Sequence, residues 1–367
     1  MHEVGVGLVG SQFVSQLHFE ALSRVPAARV IAVASPTAEH VRPFAQERGI
    51  PHWFIDYRQM FARSDIDLVV LGIPNDLHCQ VVLDAAAAGK HVVLEKPMAL
   101  NLAECDRMLA ACREAGVKLM YAEELCFTPK YVRLKQLVDQ GAFGKPFLVK
   151  QCEKHDGPHS AWFWDVARSG GGVTLDMGCH AFEFFRWILS GPDCNHRPRA
   201  KSVYAHLGTH VHNDKTRGDD DAVIIVEFED HVTGVAEESW AKPGGMDDRA
   251  EVYGSTGVGY ADLLRGNAIE AYSQDGYDYA VEKAGSTVGW TFPVYEETWN
   301  YGFPQEMAHF VDCVLNDRRP IVTGDEGRAV MEIVMAAYAS AGQGRRIELP
   351  FETDAKRPID LWLDPVE

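Results

Sequence analysis

Over the first third of the chain, short runs that are apolar throughout alternate with stretches of helical spacing. VGVGLVG at 4–10, VIAVAS at 30–35, DLVVLGIP at 67–74, HVVLEKP at 91–97 and KLMYA at 118–122 read as strands. The intervening segments 13–25, 38–48, 78–88 and 102–115 carry apolar residues at helical intervals. Strands that are apolar on both faces and separated by helices belong to a parallel sheet covered on each side. Residues 1–122 are therefore expected to form a doubly wound, Rossmann-like α/β domain.

After Glu124 the rhythm changes. A helix at about 129–140 and a strand at 146–153 lead into a loop rich in aromatics and histidine, followed by a helix from about 174 to 189. Then VYAHLG (203–208), AVIIVEFE (222–229), VTGVAEESW (232–240), AEVYGS (250–255), GVGYAD (257–262) and AIEAYS (268–273) follow with short turns between them, and helices near 304–316 and 325–341 close the chain. This pattern predicts an α+β domain over 123–367 with a large, mostly antiparallel open sheet. One face of such a sheet rests on helices and the other is free, which points to a homo-oligomer, dimer or tetramer, joined through that sheet.

Composition narrows the partners. Across 367 residues, 46% are hydrophobic and 24% charged, the balance of a globular protein. With 35 Lys and Arg against 53 Asp and Glu, the net charge of −18 opposes binding to nucleic acid or an anionic membrane surface. No run of about 18 apolar residues spans a membrane. The opening MHEVGVGLVG lacks a basic leader, and the 8 cysteines are scattered without C-x-x-C pairs, so a cytoplasmic location with reduced thiols is expected.

The turn Gly10-Ser11-Gln12-Phe13-Val14-Ser15 occupies the place of a G-x-G-x-x-G fingerprint after the first strand. Only its first glycine is present, and alone it reads equally well as an ordinary strand-to-helix turn. At the end of the second strand, where an acidic residue commonly binds the ribose 2′-hydroxyl, the chain has Ser35-Pro36-Thr37. His40 and Arg42 lie just beyond, which leaves NADP open beside NAD.

Lys96 closes the strand HVVL within Glu95-Lys96-Pro97, at the carboxyl edge where open α/β sheets hold ligands. A lysine there can hydrogen-bond a substrate hydroxyl and stabilise alkoxide character as hydride leaves; a solvated surface lysine is the plain alternative. Gly170-Gly171-Gly172 precedes a stretch in which Asp176 and His180 stand four apart, on one face of the helix the pattern implies. A carboxylate one turn away can orient an imidazole for abstracting a hydroxyl proton; a merely structural pair would show the same spacing. Glu306 and His309 also have helical spacing, read here as core packing, with His309 able to reach a substrate pocket.

GLVGSQFVSQLHFEAL from residue 7, IPNDLH at 73–78, LEKPMALNLAE at 94–104, YAEELCFTPKY at 121–131, GAFGKP at 141–146 and GGGVTLDMGCHAFEFFRWILSG at 170–191 together resemble the Gfo/Idh/MocA oxidoreductases, the family of glucose–fructose oxidoreductase and inositol dehydrogenase. The resemblance spans nearly the whole chain. It implies Lys96, Asp176 and His180 as the catalytic group: His180 takes the hydroxyl proton, Lys96 holds the reacting oxygen and Asp176 binds a neighbouring hydroxyl. It implies cofactor contacts from Gly10, Ser11, Gln12, Phe13 and Val14, from Ser35 and Thr37, and from Pro74, Asn75, His78, Glu95 and Lys96. Family frequency favours NAD slightly over NADP. The chain departs from the pattern at Gln12 and Ser15, which replace the later glycines, and at Glu124 and Cys126, where relatives often have Asn and Arg.

The loop from His155 to Asp165 mixes imidazoles and a carboxylate with aromatic planes, which suit the hydroxyls and apolar faces of sugars. His155, His159 and Trp162, with Lys96, Asp176 and His180, are the expected substrate contacts. The spacing of His155, Asp156, His159 and His180 fits no familiar zinc site, so no metal is expected. The expected activity is hydride transfer between nicotinamide and a carbinol carbon of a sugar, a glycoside (ring C3 being one candidate) or a polyol. A glycosidase or lyase that oxidises transiently and retains its NAD is one alternative; a non-catalytic nucleotide- or sugar-binding regulator is the other.

Overall fold

The computed structural model describes residues 3–264, 271–277, 284–291 and 297–364. The chain divides into two compact units: Met1–Glu124 with Gly302–Ala329, and Leu125–Tyr301 with Val330–Glu367. A single division at 122 does not anticipate that residues 302–329 return to the first unit.

In the first unit, strands β1 (Val4–Val9), β2 (Ala28–Ala34), β3 (His52–Phe54), β4 (Leu68–Leu71), β5 (His91–Glu95) and β6 (Leu119–Ala122) form one parallel sheet in the order β3-β2-β1-β4-β5-β6. This is the Rossmann order, and its strands reverse direction of progression between β1 and β4. The runs read as buried strands are buried: all residues of β1, β4 and β6 are enclosed. β3 and helix Tyr57–Phe61 were not anticipated, because a strand of two exposed residues and one half-buried residue, and a helix of five, are too short to show a period. Helix Leu102–Ala115 shows why these boundaries are sharp. Asn101 accepts from the Glu104 N–H at 2.9 Å, the Glu104 carboxylate accepts from the Leu100 N–H at 3.2 Å, and Gly116 ends the helix with φ 68°.

The returning segment covers this unit. Helix Phe303–Leu315 lies against helix Phe13–Ser23 and β1, and the Tyr121 N–H bonds the Val322 carbonyl beside a Met120–Thr323 bridge. Residues 322–323 thereby blunt the free edge of β6.

The second unit holds β7 (Pro146–Lys154), β8 (Ala200–Gly208), β9 (Asp221–Phe228), β10 (Thr233–Ser239), β11 (Asp247–Gly254) and β12 (Gly257–Asp262), with the hairpin β13 (Ala271–Ser273) and β14 (Gly289–Thr291) and the short β15 (Ile347–Glu348). Its seven-stranded sheet runs β12-β11-β7-β10-β9-β8-β15; only β7 and β10 pair in parallel. Of the expected strand AIEAYS, residues 268–270 lie outside the described residues. Helix Gly178–Ile188, buried along its whole length, packs on β7 and β10. The opposite face of the sheet exposes Tyr204, Val223, Ile225, Val258 and Tyr260, the last at 67%. Among the described residues, no helix is long and apolar enough to cross a membrane.

Candidate active site

In the first unit the candidate groups gather at the carboxyl ends of the strands. Gly10 has φ 113°, and a side chain there would meet the Gly72 carbonyl oxygen at 2.1 Å, so this one glycine is required by a crossing of two strand ends. Helix Phe13–Ser23 starts immediately after it with no side-chain cap on its N-terminal N–H groups. The Ser11 and Ser15 hydroxyls are enclosed with no hydrogen-bond partner. An uncapped helix N-terminus ringed by orphaned hydroxyls fits the pyrophosphate of a dinucleotide, and Ser15 supplies a donor where the usual pattern has a glycine. Gln12 and Phe13 are exposed and Val14 half-buried. Ser35 is fixed by its N–H to the Phe54 carbonyl at 3.0 Å, and Thr37 precedes helix Ala38–Glu47 without capping it; His40 and Arg42 on that helix are exposed.

His78 is held by backbone carbonyls on both sides of its ring. Its ring is fully buried, with Nδ1 3.0 Å from the Pro97 carbonyl and 3.3 Å from that of Met98, and Nε2 2.9 Å from the Ile73 carbonyl. Burial pulls its pKa below the usual histidine value. The ring ties the segment carrying Pro74 and the buried Asn75 to the segment carrying Lys96. Glu95 is tied as well: its carboxylate lies 2.7 Å from His18 Nε2 and accepts the Lys96 N–H at 3.1 Å. His18 carries no motif that would have singled it out, since it is one apolar-face position in a helix 77 residues away. His309 serves packing, accepting the Ile321 N–H at 3.0 Å.

In the second unit, Asp176 and His180 are both buried, but the single helix expected to carry them is broken. Asp176 ends the short helix Val173–Asp176, Met177 forms a one-residue turn with φ −110° and ψ −32°, and His180 belongs to helix Gly178–Ile188. The glycine run sets where the first of these helices begins. Gly172 packs so closely that a side chain would meet the Asp219 carbonyl oxygen at 2.0 Å, and the Asp219 carboxylate accepts the N–H groups of Gly172 (3.1 Å) and Thr174 (2.8 Å) and the Tyr338 hydroxyl (2.5 Å). One buried acid thus caps the turn that presents Asp176. Asp176 itself accepts from Trp240 Nε1 at 3.2 Å. Asp219, Trp240 and Tyr338 escaped sequence reasoning because each acts across at least 45 residues of chain from its partner.

The aromatic loop is largely self-packed. Trp162 stacks on Phe163 at 3.9 Å, while Trp164 meets Trp240 edge-on at 5.3 Å and His212 at 4.9 Å. His155 is buried, its Nδ1 accepting the Gly157 N–H at 2.9 Å and its backbone bonded to Ser239 and Lys242 on either side of Trp240. His159 is exposed.

A Rossmann sheet with an uncapped phosphate turn is the framework of a nicotinamide-dinucleotide oxidoreductase. Residues 4–123 match the family profile described as oxidoreductase family, NAD-binding Rossmann fold, and residues 131–259 match the GFO/IDH/MocA C-terminal domain. The chain belongs to the Gfo/Idh/MocA oxidoreductase family. It is 28% identical over 360 residues to scyllo-inositol 2-dehydrogenase (NAD(+)) of Bacillus subtilis (strain 168), covering 97% of this chain and 98% of that one. It is 26% identical to myo-inositol 2-dehydrogenase of Thermotoga maritima, covering 94% and 98%. The solved structure of GenD2 from gentamicin A biosynthesis, in complex with NAD, matches with TM-score 0.89 and 30% identity over 96% of this chain and 97% of that one.

Proposed function

We propose that this protein is an NAD-dependent dehydrogenase of a carbinol carbon in a sugar, glycoside or polyol. The observation that carries the reading is that Lys96 stands at the carboxyl end of β5, tied in place through Glu95 and His78, in a chain whose relatives over nearly their full length are named inositol dehydrogenases. Bound NAD supplies the hydride acceptor. Gly10, Ser11, Gln12, Phe13 and Val14 hold its pyrophosphate at the helix N-terminus, and Ser35 and Thr37 face its ribose. The solved relative in complex with NAD supports NAD as the working form.

The chain's own side chains handle the proton. His180 takes the proton of the reacting hydroxyl, Lys96 stabilises the developing alkoxide, and Asp176, oriented by the Trp240 indole, binds the adjacent hydroxyl. Trp162, His155 and His159 border the sugar. The exposed apolar face of the large sheet, with Tyr204, Ile225 and Tyr260, joins subunits of a homo-oligomer, and eight free thiols accord with a reducing cytoplasm.

The test is to denature the purified protein, identify any released nucleotide by mass, and titrate apo-protein with NAD and NADP across a panel of sugars, glycosides and polyols. Accumulating NADH with one substrate class is expected. Product without accumulation, from tightly retained NAD, would replace this reading by internal redox and elimination.

A further inference from the structure

Strands β8 and β9 stay paired as far as Gly208 and Asp221, where a two-residue turn would close the hairpin; the chain instead makes a loop of residues 209–220. The ends of this loop are drawn together, the Asp220 N–H bonding the Gly208 carbonyl at 2.9 Å and the Thr209 hydroxyl the Gly218 carbonyl at 2.9 Å. Its inside is a carboxylate. Fully buried Asp220 accepts the N–H groups of His210 (2.7 Å), Val211 (2.7 Å) and His212 (2.8 Å), which fixes the backbone on which the buried His212 ring is mounted. That ring reaches Trp240: Nε2 lies 3.0 Å from the Trp240 carbonyl, and since a carbonyl only accepts, Nε2 is the donor. The Trp240 N–H bonds the Asp220 carbonyl at 2.8 Å, so the loop holds this residue by both its N–H and its carbonyl. A loop that had only to reverse the chain would need none of these ties, and its tip stays in water, with Val211, Asn213, Asp214 and Lys215 exposed.

The ties converge on one side chain. The Trp240 indole is enclosed, meets Trp164 edge-on at 5.3 Å and donates to Asp176 Oδ2 at 3.2 Å. Trp164 is wedged in turn: the His212 ring lies 4.9 Å away, Lys215 Nζ stands 5.1 Å from its centroid, and at Gly157, with φ 107°, a side chain would meet its ring at 2.8 Å. Turning the indole away from Asp176 therefore requires moving Trp164 or His212 as well. We propose that His212 is a positioning residue for the reaction: latched by Asp220, it holds Trp240 in the orientation that aims the Asp176 carboxylate at the substrate hydroxyl next to the reacting carbon. This rests on the dehydrogenase reading above and deepens it. The adjacent acids divide one task, Asp219 setting the turn that carries Asp176 and Asp220 setting, through His212 and Trp240, the direction of its side chain. What the latch supplies is selectivity for one hydroxyl, because a misaimed carboxylate loses its bond to that hydroxyl and leaves the other substrate contacts intact.

The experiment uses the full-length protein with its 8 tryptophan indoles labelled with ¹⁵N, the Trp240 signal being assigned with Trp240→Phe. His212→Phe keeps a ring against Trp164 and removes the donor, whereas His212→Gln restores an N–H. The Trp240 indole proton is expected to shift in His212→Phe towards its position in Asp176→Ala and to stay in place in His212→Gln. Asp220→Asn, which loosens the grip on residues 210–212, is expected to shift it the same way and decides the matter if His212→Phe does not fold. With the sugar or polyol that the panel above shows to reduce NAD, His212→Phe is expected to raise KM about tenfold with kcat little changed. The analogue lacking the neighbouring hydroxyl is expected to lose nothing, and NAD affinity to stay the same. An unmoved indole signal overturns the latch, as does an equal loss on parent and deoxy substrates or a His212→Gln as impaired as His212→Phe. Turnover in the unaltered protein with an unmoved signal in the variants keeps the dehydrogenase and removes the latch; a shifted signal in a protein that turns over no compound keeps the latch and removes the dehydrogenase.

Discussion

The two units bury carboxylates on opposite terms. In the second unit Asp219 is surrounded by donors, two backbone N–H groups and the Tyr338 hydroxyl, and Asp248 accepts from the Tyr131 hydroxyl and, at 3.4 Å, from Gln151. In the first unit Glu306 is as deeply enclosed and has no such donors. Burial is therefore not what separates these two acids; the supply of donors is. Asp219 organises the turn that presents Asp176, whereas burial holds Glu306 in its neutral form.

The largest effects are expected at the proposed reacting groups, one drawn from each unit. Lys96→Ala and His180→Ala are each expected to lower turnover by on the order of a hundredfold or more, with NAD affinity in a fluorescence titration retained. Turnover near that of the unaltered protein in either variant would take that residue out of the reaction.

Stability sharpens the contrast between the two acids. Asp219→Ala strands three buried donors and is expected to cost about 3 kcal/mol or more in denaturant unfolding, while Glu306→Gln replaces a buried carboxyl, already held in its neutral form by burial, with a neutral amide of the same shape and is expected to change stability by less than about 1 kcal/mol. Equal losses in the two variants would show that the donors around Asp219 count for little.

The smallest effect is a pH slope. Burial, helped by Asp262 and Asp247 and opposed by the bonds from Tyr131 and Gln151, raises the Asp248 carboxyl to about 7. The folded state then binds more protons than the unfolded one between the ordinary carboxylate range and about 7, so stability falls as pH rises through that window. Thermal midpoints measured from about pH 5 to pH 8 are expected to decline, and Asp248→Asn to flatten the part of the slope near 7. Glu238 and Glu306, also raised, slope in the same direction, so some decline persists. An unchanged slope in Asp248→Asn would place the titration elsewhere.

Much of this was legible along the chain. The first unit could be read nearly strand by strand, because buried parallel strands are continuous apolar runs and the helices between them carry their own caps, as Asn101, Glu104 and Gly116 do. The antiparallel character of the second sheet followed from alternation and short turns. Lys96, Asp176 and His180 stood out as candidates because the motifs that carry them are local. The break at Met177 was not, since a four-residue spacing looks the same whether or not the helix between is continuous.

What the sequence determined by itself was whatever depends on neighbours a few residues apart: strand and helix type, the glycine turn, and the residue types available for chemistry. The tertiary structure alone decided which residues hold those groups. His18 on Glu95, Asp219 under Gly172, Trp240 on Asp176 and the return of Glu306 to the first unit are pairings across 47 or more residues. Such contacts arise from packing of whole elements against one another, where solvent exclusion sets the strength of each polar bond, and no periodicity in the chain records them.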